Sequence, residues 1–142
     1  MENKQIAVII VEDNDTFRQG LKVLIESNLR FKVIKEASGF FDLINESIIE
    51  KTDIILMDLA MPEVNGFEAT KEILWAHPKT PILAVTMHQE KAYLIELIRA
   101  GFKGCVFKAN IYNEIFEAID EVLEGKLYFP PGILLLKGDE NK

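Results

Sequence analysis

Four short apolar runs in this chain each end abruptly in a residue whose side chain can do chemistry. These residues are Glu12 with Asp13, then Asp58, Thr86 and Lys108. Carboxylates held close together repel one another, which favours a divalent cation, and Mg²⁺ prefers oxygen ligands. A carboxylate can also act as a nucleophile and form an aspartyl phosphate, while an ammonium and a hydroxyl bind phosphoryl oxygens. Taken together, these residues predict a Mg²⁺-dependent phosphoryl-transfer site.

Each of these residues has an ordinary structural interpretation when it is taken alone. Asp58 precedes a loop and is equally well explained as a turn or capping residue. Lys108 alone is typical of a solvated loop lysine, and Thr86 of a hydroxyl at a strand end. The functional interpretation therefore depends on all of them meeting at one place.

The elements that must position these residues are predicted from the pattern of apolar side chains. Continuous runs predict strands buried on both faces, and apolar residues at helical spacing predict the helices between them. The predicted strands are 6–11, 31–37, 53–58, 81–86 and 104–107, and the predicted helices are 17–29, 39–51, 66–77, 89–100 and 111–123. Asn14 or Asp15 is expected to cap the first helix, and Gly101 to follow the end of the fourth.

This alternation predicts an α/β fold, a doubly wound parallel sheet of five strands flanked by five helices. In such sheets the carboxyl ends of the strands share one edge, where ligands bind. If the first and third strands are neighbours, Asp13 and Asp58 converge there.

Length and charge narrow the classes of function. The 142 residues are enough for one domain, and the net charge of −7 argues against nucleic-acid binding by this chain alone. Cys105 is the only cysteine, which excludes an internal disulfide. We find no run long enough to cross a membrane and no signal peptide, so we expect a cytoplasmic protein without membrane partners.

The sequence resembles the receiver domain of bacterial two-component response regulators. The resemblance covers residues 5 to about 130. The shared features, in order and at the family's spacing, are Glu12-Asp13, Asp58 with Met61-Pro62 and Gly66, Thr86, and Gly104 through Lys108.

The resemblance implies a flavodoxin-like sheet of strand order 2-1-3-4-5 and a phosphorylation-dependent switch. Asp58 would accept a phosphoryl group from a histidine kinase or a small phosphodonor, with Thr86 and Lys108 binding its oxygens. Mg²⁺ would be held by Asp13, Asp58 and the backbone carbonyl of Ala60, with Glu12 acting largely through water. Phosphorylation would then remodel the face formed by the fourth helix, fifth strand and fifth helix.

Shorter stretches resemble the NarL/LuxR-type transcription regulators, which carry a helix-turn-helix domain after the receiver. These stretches are 17–21, 86–88, 99–101 and 125–130. We therefore predict a receiver domain over residues 1–127. Residues 128–142 would be a tail, or the start of a linker to an output domain not present in this chain. Ile133–Leu136 is expected either to pack back on the domain or to pair with another chain, and a homodimer is left open.

Three positions depart from the family's pattern. Cys105 stands where the family usually has a rotating Tyr or Phe that reports the switch. Ala109 replaces the proline that often follows the lysine, which leaves open whether the Lys108–Ala109 bond is cis. Ala60 has no polar side chain, whereas His88 does. In the family both positions flank the route of the water that hydrolyses the phosphoryl group. We therefore expect the lifetime of the phosphoryl group to depend on His88.

Other functions fit the residues less well. A Mg²⁺-dependent phosphatase with an Asp nucleophile would need a second acid at the position of Ala60. We therefore expect a domain that catalyses only its own phosphorylation and dephosphorylation. A flavin-binding module would need a hydroxyl- and glycine-rich phosphate loop after the first strand, whereas the acids between Glu12 and Asp15 would repel the phosphate of a flavin. A receiver-like interaction module that works without phosphorylation remains as an alternative.

Overall fold

The computed structural model describes residues 4–39, 43, 47–58 and 66–133. Within them, five strands alternate with four α-helices. The strands are β1 (Ile6–Val11), β2 (Phe31–Ala37), β3 (Ile54–Met57), β4 (Ile82–Thr86) and β5 (Gly104–Phe107). The helices are α1 (Asp15–Glu26), α2 (Gly66–Ala76), α3 (Lys91–Ala100) and α4 (Ile111–Leu123). Single 3-10 turns cover Ser47–Lys51 and Lys108–Asn110.

The five strands form one parallel sheet of order β2-β1-β3-β4-β5. This arrangement confirms the predicted doubly wound fold and places the first and third strands side by side. The pairing of β1 with β2 shifts register between Val8 and Ile9. The other three pairings run without a shift.

Both faces of the sheet are covered, which explains why its central strands are continuously apolar. Alternate residues such as Ile9 and Ile55 pack in the layer that includes side chains of α2 and α3. Their neighbours, such as Ile10 and Leu56, pack in the opposite layer with side chains of α1 and α4. The sheet is therefore rigid, and its carboxyl edge is a fixed platform for side chains.

Two helix ends follow the local sequence signals. The side chain of Asn14 accepts a hydrogen bond from the backbone N–H of Phe17 at 2.8 Å, which makes Asn14 the cap of α1. Gly101 ends α3 in the left-handed region with φ of 105°, a conformation that L side chains rarely adopt.

The predicted helix over 39–51 is wrong in the part of it that the structure describes. Ser47–Lys51 forms a 3-10 helix, and Leu43 lies in a turn. Residues 40–42 and 44–46 lie outside the described residues. Leu43 and Ile49 are both buried in the core. Adjacent β-branched isoleucines are weak helix formers, so the burial of individual side chains outweighs helical periodicity here.

Helix α3 carries more apolar residues than one buried stripe can hold. Leu94, Leu97 and Ile98 are buried, whereas Tyr93 and Ile95 are half-buried. Most of the apolar side chains of α3 therefore lie in the core.

The segment after α4 returns to the sheet. The Tyr128 N–H donates to the Lys103 carbonyl at 3.0 Å, and the Cys105 N–H donates to the Tyr128 carbonyl at 2.8 Å. Ile133 is buried in the same core layer as α3. Leu134–Leu136, the rest of the predicted apolar segment, lies outside the described residues, and the boundary at residue 127 stays a prediction. No helix among the described residues combines the length and apolarity needed to cross a bilayer.

Candidate functional site

Strand register brings the carboxyl ends of β1 and β3 together. Val11 of β1 lies opposite Met57 of β3, so the next residues, Glu12 and Asp58, leave their strands at the same edge. The Asp58 N–H donates to the Val11 carbonyl at 2.9 Å, which fixes the Asp58 backbone against β1. The two acids are 46 positions apart in the chain, and the parallel pairing alone makes them neighbours.

Three carboxylates share this edge. One oxygen from each of Glu12, Asp13 and Asp58 lies within 4.8 Å of the others. Glu12 and Asp58 are only 2% and 8% exposed, whereas Asp13 is exposed. Burial raises the pKa of Glu12, and the nearby charge of Asp58 adds to that rise while the Lys108 ammonium opposes it. The cluster is therefore electrostatically unfavourable without additional positive charge.

The donor set suits a small, hard divalent cation. Oε1 of Glu12 is buried, and its partner is the Lys108 ammonium, whose Nζ lies 2.9 Å away. This one cation faces three carboxylates that converge within 4.8 Å, and an all-oxygen donor set of this kind matches the coordination that Mg²⁺ takes. Ala60, whose carbonyl the resemblance adds to the metal ligands, lies outside the described residues.

Lys108 supplies a cation to the cluster from the end of β5. Its Nζ lies 2.9 Å from Glu12 Oε1 and 3.7 Å from Asp58 Oδ1. The ammonium also lies 4.4 Å from the centroid of the Phe17 ring, a favourable cation–π distance. The Lys108 side chain is 18% exposed, so the ammonium can reach an incoming anion without leaving the site.

Thr86 reaches the same edge at the end of β4. Thr86 pairs with Phe107 of β5, so it lies one register position before Lys108 on the neighbouring strand. It is 1% exposed, and its Oγ1 accepts a hydrogen bond from the backbone N–H of His88 at 3.1 Å. The ring of His88 packs on the ring of Tyr93 on α3, with centroids 4.5 Å apart. Thr86 thus joins the acidic edge to the β4–α3 connection.

Two further residues support the site: Arg18 had no assigned role in the sequence analysis, and Asn14 was expected only to cap the first helix. Arg18, one turn into α1, donates from Nη1 to the Glu12 carbonyl at 2.7 Å and bonds the Asp15 carboxylate at 2.6 Å. The Asn14 N–H donates to Glu12 Oε2 at 3.1 Å. These contacts hold the β1–α1 connection around Glu12. The sequence singled out Arg18 only as part of a stretch that resembles the NarL/LuxR-type regulators. That resemblance does not predict a hydrogen bond from Arg18 to a backbone carbonyl.

The structure shows the surroundings of two positions that depart from the family pattern, Cys105 on β5 and Ala109 in the 3-10 helix after it. Cys105 is buried, and burial together with the Glu114 carboxylate raises the pKa of its thiol to about 12. The thiol is therefore protonated at neutral pH, and it packs as a small core residue. The Lys108–Ala109 peptide bond is trans, as are all the peptide bonds in the described part of the chain.

The structure thus brings Glu12, Asp13, Asp58 and Lys108 into one cluster and places Thr86 at its edge. A doubly wound sheet carrying these groups at its carboxyl edge is typical of an α/β domain that binds a metal ion and a phosphoryl group. Comparison with known proteins gives the family. The model of the response regulator receiver domain family matches residues 8–120.

Relatives and solved structures agree with this match. The transcriptional regulatory protein YdfI of Bacillus subtilis (strain 168) is 39% identical over 127 residues, covering 89% of this chain and 59% of YdfI. The response regulator UvrY of Escherichia coli (strain K12) is 30% identical over 128 residues, covering 90% of this chain and 59% of UvrY. A crystal structure of a LuxR-family two-component response regulator from Aurantimonas sp. SI85-9A1 superposes with a TM-score of 0.85 at 30% identity, covering 97% and 99% of the two chains.

This chain belongs to the response regulator receiver domain family. The resemblance to NarL/LuxR-type regulators is also confirmed. The chain spans about 60% of the length of the curated relatives it matches.

Proposed function

We propose that this chain is a phosphorylation-dependent signalling switch in which Asp58 accepts a phosphoryl group. The observation that carries the proposal is the position of the Asp58 carboxylate. It is 8% exposed, lies within 4.8 Å of two other carboxylates and has the Lys108 ammonium 3.7 Å away. Such a carboxylate is held rigidly as a nucleophile and already has a partner for the charge that arrives with a phosphoryl group.

In the proposed transfer, a carboxylate oxygen of Asp58 attacks the phosphorus of a phosphohistidine or of a small phosphodonor. An O–P bond forms as the bond to the donor's leaving group breaks, and the electron pair leaves with that group. Lys108 moves its ammonium from Glu12 Oε1 toward a phosphoryl oxygen, a short displacement because Asp58 is already 3.7 Å away. Phosphoryl transfer depends mainly on such positioning and charge neutralisation.

A bound Mg²⁺ would offset the charge of the carboxylates and of the phosphoryl oxygens. Asp13, Asp58 and the Ala60 carbonyl would hold it, with Glu12 acting largely through water. The convergence of three carboxylates within 4.8 Å on one ammonium supports such a site. Removal of the metal is therefore expected to abolish the transfer.

The signal would be passed on through Thr86. Its hydroxyl would hydrogen-bond a phosphoryl oxygen on Asp58, and the change would spread to the face formed by α3, β5 and α4. In this way a local electrostatic event biases a two-state element of the fold.

We further propose a histidine kinase as the phosphodonor, a cytoplasmic location, and transcription regulation through a separate DNA-binding domain. The support is the similarity to YdfI, a transcriptional regulatory protein, over only 59% of YdfI. The chain would catalyse only its own phosphorylation and dephosphorylation. The apolar Ala60, two residues after the nucleophile, disfavours a phosphatase acting on other substrates.

The test is mass spectrometry of the intact protein after incubation with acetyl phosphate and Mg²⁺. Wild type should gain one labile phosphoryl group, whereas Asp58→Asn and wild type in excess EDTA should gain none. Asp120→Asn is a matched control, because Asp120 is an exposed aspartate on α4 that pairs with Arg30 at 3.1 Å. A wild type that takes no phosphoryl group from acetyl phosphate or from phosphorylated kinases would favour the interaction module that works without phosphorylation.

A further inference from the structure

Arg18 on α1 is tied to the end of β1 by contacts that the proposed transfer does not use. Its Nη1 donates to the Glu12 carbonyl at 2.7 Å, and its Nη2 donates to Asp15 Oδ1 at 2.6 Å. Its Nε lies 3.5 Å from Glu36 Oε1 on β2. Only 14% of the Arg18 side chain is exposed. Because each of these nitrogens has a separate partner, the planar guanidinium is held in one orientation.

The guanidinium completes a set of restraints on Glu12. The Glu12 N–H donates to the Ala37 carbonyl at the end of β2 at 2.9 Å, and Oε2 accepts from the Asn14 N–H at 3.1 Å. Oε1 faces the Lys108 ammonium at 2.9 Å. The backbone carbonyl is the polar group that the guanidinium holds. Since a peptide unit is planar, fixing this carbonyl also fixes the direction in which the chain enters Asp13.

The positive charge of Arg18 is matched outside the carboxylate cluster. Asp15 and Glu36 pair with the guanidinium, and Lys22, one turn further along α1, pairs with Glu36 at 3.3 Å. The contact of Arg18 with the end of β1 goes to an uncharged carbonyl, whereas Lys108 supplies the ammonium that faces the acids. Arg18 therefore contributes geometry to the site more than it contributes charge.

The first turn of α1 fixes where the guanidinium lies. The Asn14 side chain caps this turn by accepting from the Phe17 N–H at 2.8 Å, and the Asn14 carbonyl accepts from the Arg18 N–H at 2.9 Å. The Phe17 ring lies 4.4 Å from the Lys108 ammonium. The same helical turn thus places a ring against the ammonium and a guanidinium on the strand-end carbonyl.

We infer that Arg18 is a positioning residue for the metal site, which orients the Asp13 carboxylate by holding the Glu12 carbonyl. The inference rests on the proposed function, because it concerns the Mg²⁺ that Asp13 and Asp58 would hold. Asp13 is exposed, so packing restrains its side chain little. One of its oxygens nevertheless lies within 4.8 Å of the oxygens of the other two carboxylates. The backbone that Arg18 fixes keeps it there.

A positioning role and a purely electrostatic role predict opposite changes in Mg²⁺ affinity. Removing a positive charge near an anionic site strengthens the binding of another cation. Removing a group that orients a metal ligand weakens binding, typically by about 10- to 100-fold. The direction of the change in Arg18→Met therefore distinguishes the two roles.

The first experiment is calorimetric titration of Mg²⁺ into the full chain without a phosphodonor. Arg18→Met should bind Mg²⁺ roughly 10- to 100-fold more weakly than wild type. Arg18→Lys should recover part of this loss, because an ammonium can donate to the Glu12 carbonyl but cannot form the forked contacts of a guanidinium. Lys22→Met is the matched control, because it removes a positive charge that pairs with Glu36 on the same helix. Its affinity should differ from that of wild type by less than about 5-fold.

Amide hydrogen exchange in EDTA, followed by NMR, tests the positioning without any metal. In Arg18→Met the Asn14 amide, which donates to Glu12 Oε2, should exchange roughly 2- to 10-fold faster than in wild type. Amides within β4 and β5 should exchange at the wild-type rate, which separates a local change at the end of β1 from a general loss of stability. Lys22→Met should leave the Asn14 amide unchanged.

Mg²⁺ binding by Arg18→Met as tight as that of wild type, or tighter, would overturn the inference, as would a wild type that binds no Mg²⁺. If Arg18→Met does not fold, Arg18→Lys decides, and an affinity equal to that of Lys22→Met would count against the positioning role. Failure of the proposed function is distinct, because it appears as a wild type that binds Mg²⁺ but takes no phosphoryl group on Asp58.

Discussion

Replacing Lys108 by methionine tests the electrostatics of the site directly. The change keeps an unbranched stem but removes the cation 2.9 Å from Glu12 and 3.7 Å from Asp58. At an effective dielectric constant of about 20, Coulomb's law gives roughly 6 kcal/mol for unit charges at the shorter distance. Desolvation of the ammonium offsets much of this attraction, and breaking a buried pair typically lowers stability by about 3–5 kcal/mol. Because 18% of the lysine side chain is exposed, we expect a smaller loss of stability than for a fully buried pair, about 2–3 kcal/mol at pH 7.5 without Mg²⁺.

The loss should depend on pH in a defined direction. Burial raises the pKa of Glu12 in the folded protein above its ordinary value of 4.5. Between these two values the folded state binds more protons, so the free energy of unfolding falls as the pH rises. Without Lys108 the pKa of Glu12 in the folded protein rises further, and the free energy of unfolding falls by more as the pH rises. The difference in unfolding free energy between wild type and Lys108→Met should therefore be largest above the folded pKa of Glu12. It should become smaller as the pH approaches 4.5. About 0.5–1 kcal/mol should persist at low pH from the lost contact with Phe17.

The assay is urea unfolding in EDTA across this pH range. Lys126→Met is the control, because the Lys126 side chain is 63% exposed and its pair with Glu124 is a surface ion pair, so it should change stability by less than about 1 kcal/mol. Adding Glu12→Gln to Lys108→Met should recover part of the loss, since the buried carboxylate is then neutral. A loss no larger than that of Lys126→Met, or one that does not vary with pH, would show that the ammonium does not neutralise the buried acids.

Three further changes probe the metal, the fold and the chemistry. Asp13→Asn should weaken Mg²⁺ binding by more than about 10-fold, measured as the Mg²⁺ dependence of the thermal midpoint; an unchanged titration would exclude Asp13 as a ligand. Gly101→Ala should lower stability by about 1–3 kcal/mol in urea, because φ is 105° and a Cβ would lie 2.6 Å from Leu74 Cδ1. Gly125→Ala, with φ of 89° and nothing within 4 Å, should lower it less, and equal losses would mean that Leu74 moves aside. His88→Ala should change the lifetime of the phosphoryl group on Asp58, followed by mass spectrometry over time, and an unchanged lifetime would remove His88 from the hydrolytic route.

The local sequence was sufficient to predict most of the helices and strands. β1 and β3 are apolar at every position, and β4 is apolar up to Thr86, because both faces of a parallel sheet are buried. That pattern can be recognised without tertiary information. Asn14 and Gly101 mark helix ends through their own side-chain and backbone chemistry. The segment over 39–51 was mispredicted because its helical periodicity competes with β-branched residues and with the burial of Leu43 and Ile49.

The grouping of the candidate site residues could be predicted from the sequence, since acids, a hydroxyl and a lysine at the carboxyl ends of parallel strands lie at one edge of the sheet. Only the tertiary structure decided how they pair. Lys108 lies closer to Glu12 than to Asp58, Arg18 holds the Glu12 carbonyl, and the His88 N–H donates to Thr86. These choices depend on sheet register, on side-chain rotamers and on the packing of α3 against β4 and β5. Such distances are set by residues far apart in the chain, and no local pattern of apolar or polar side chains encodes them.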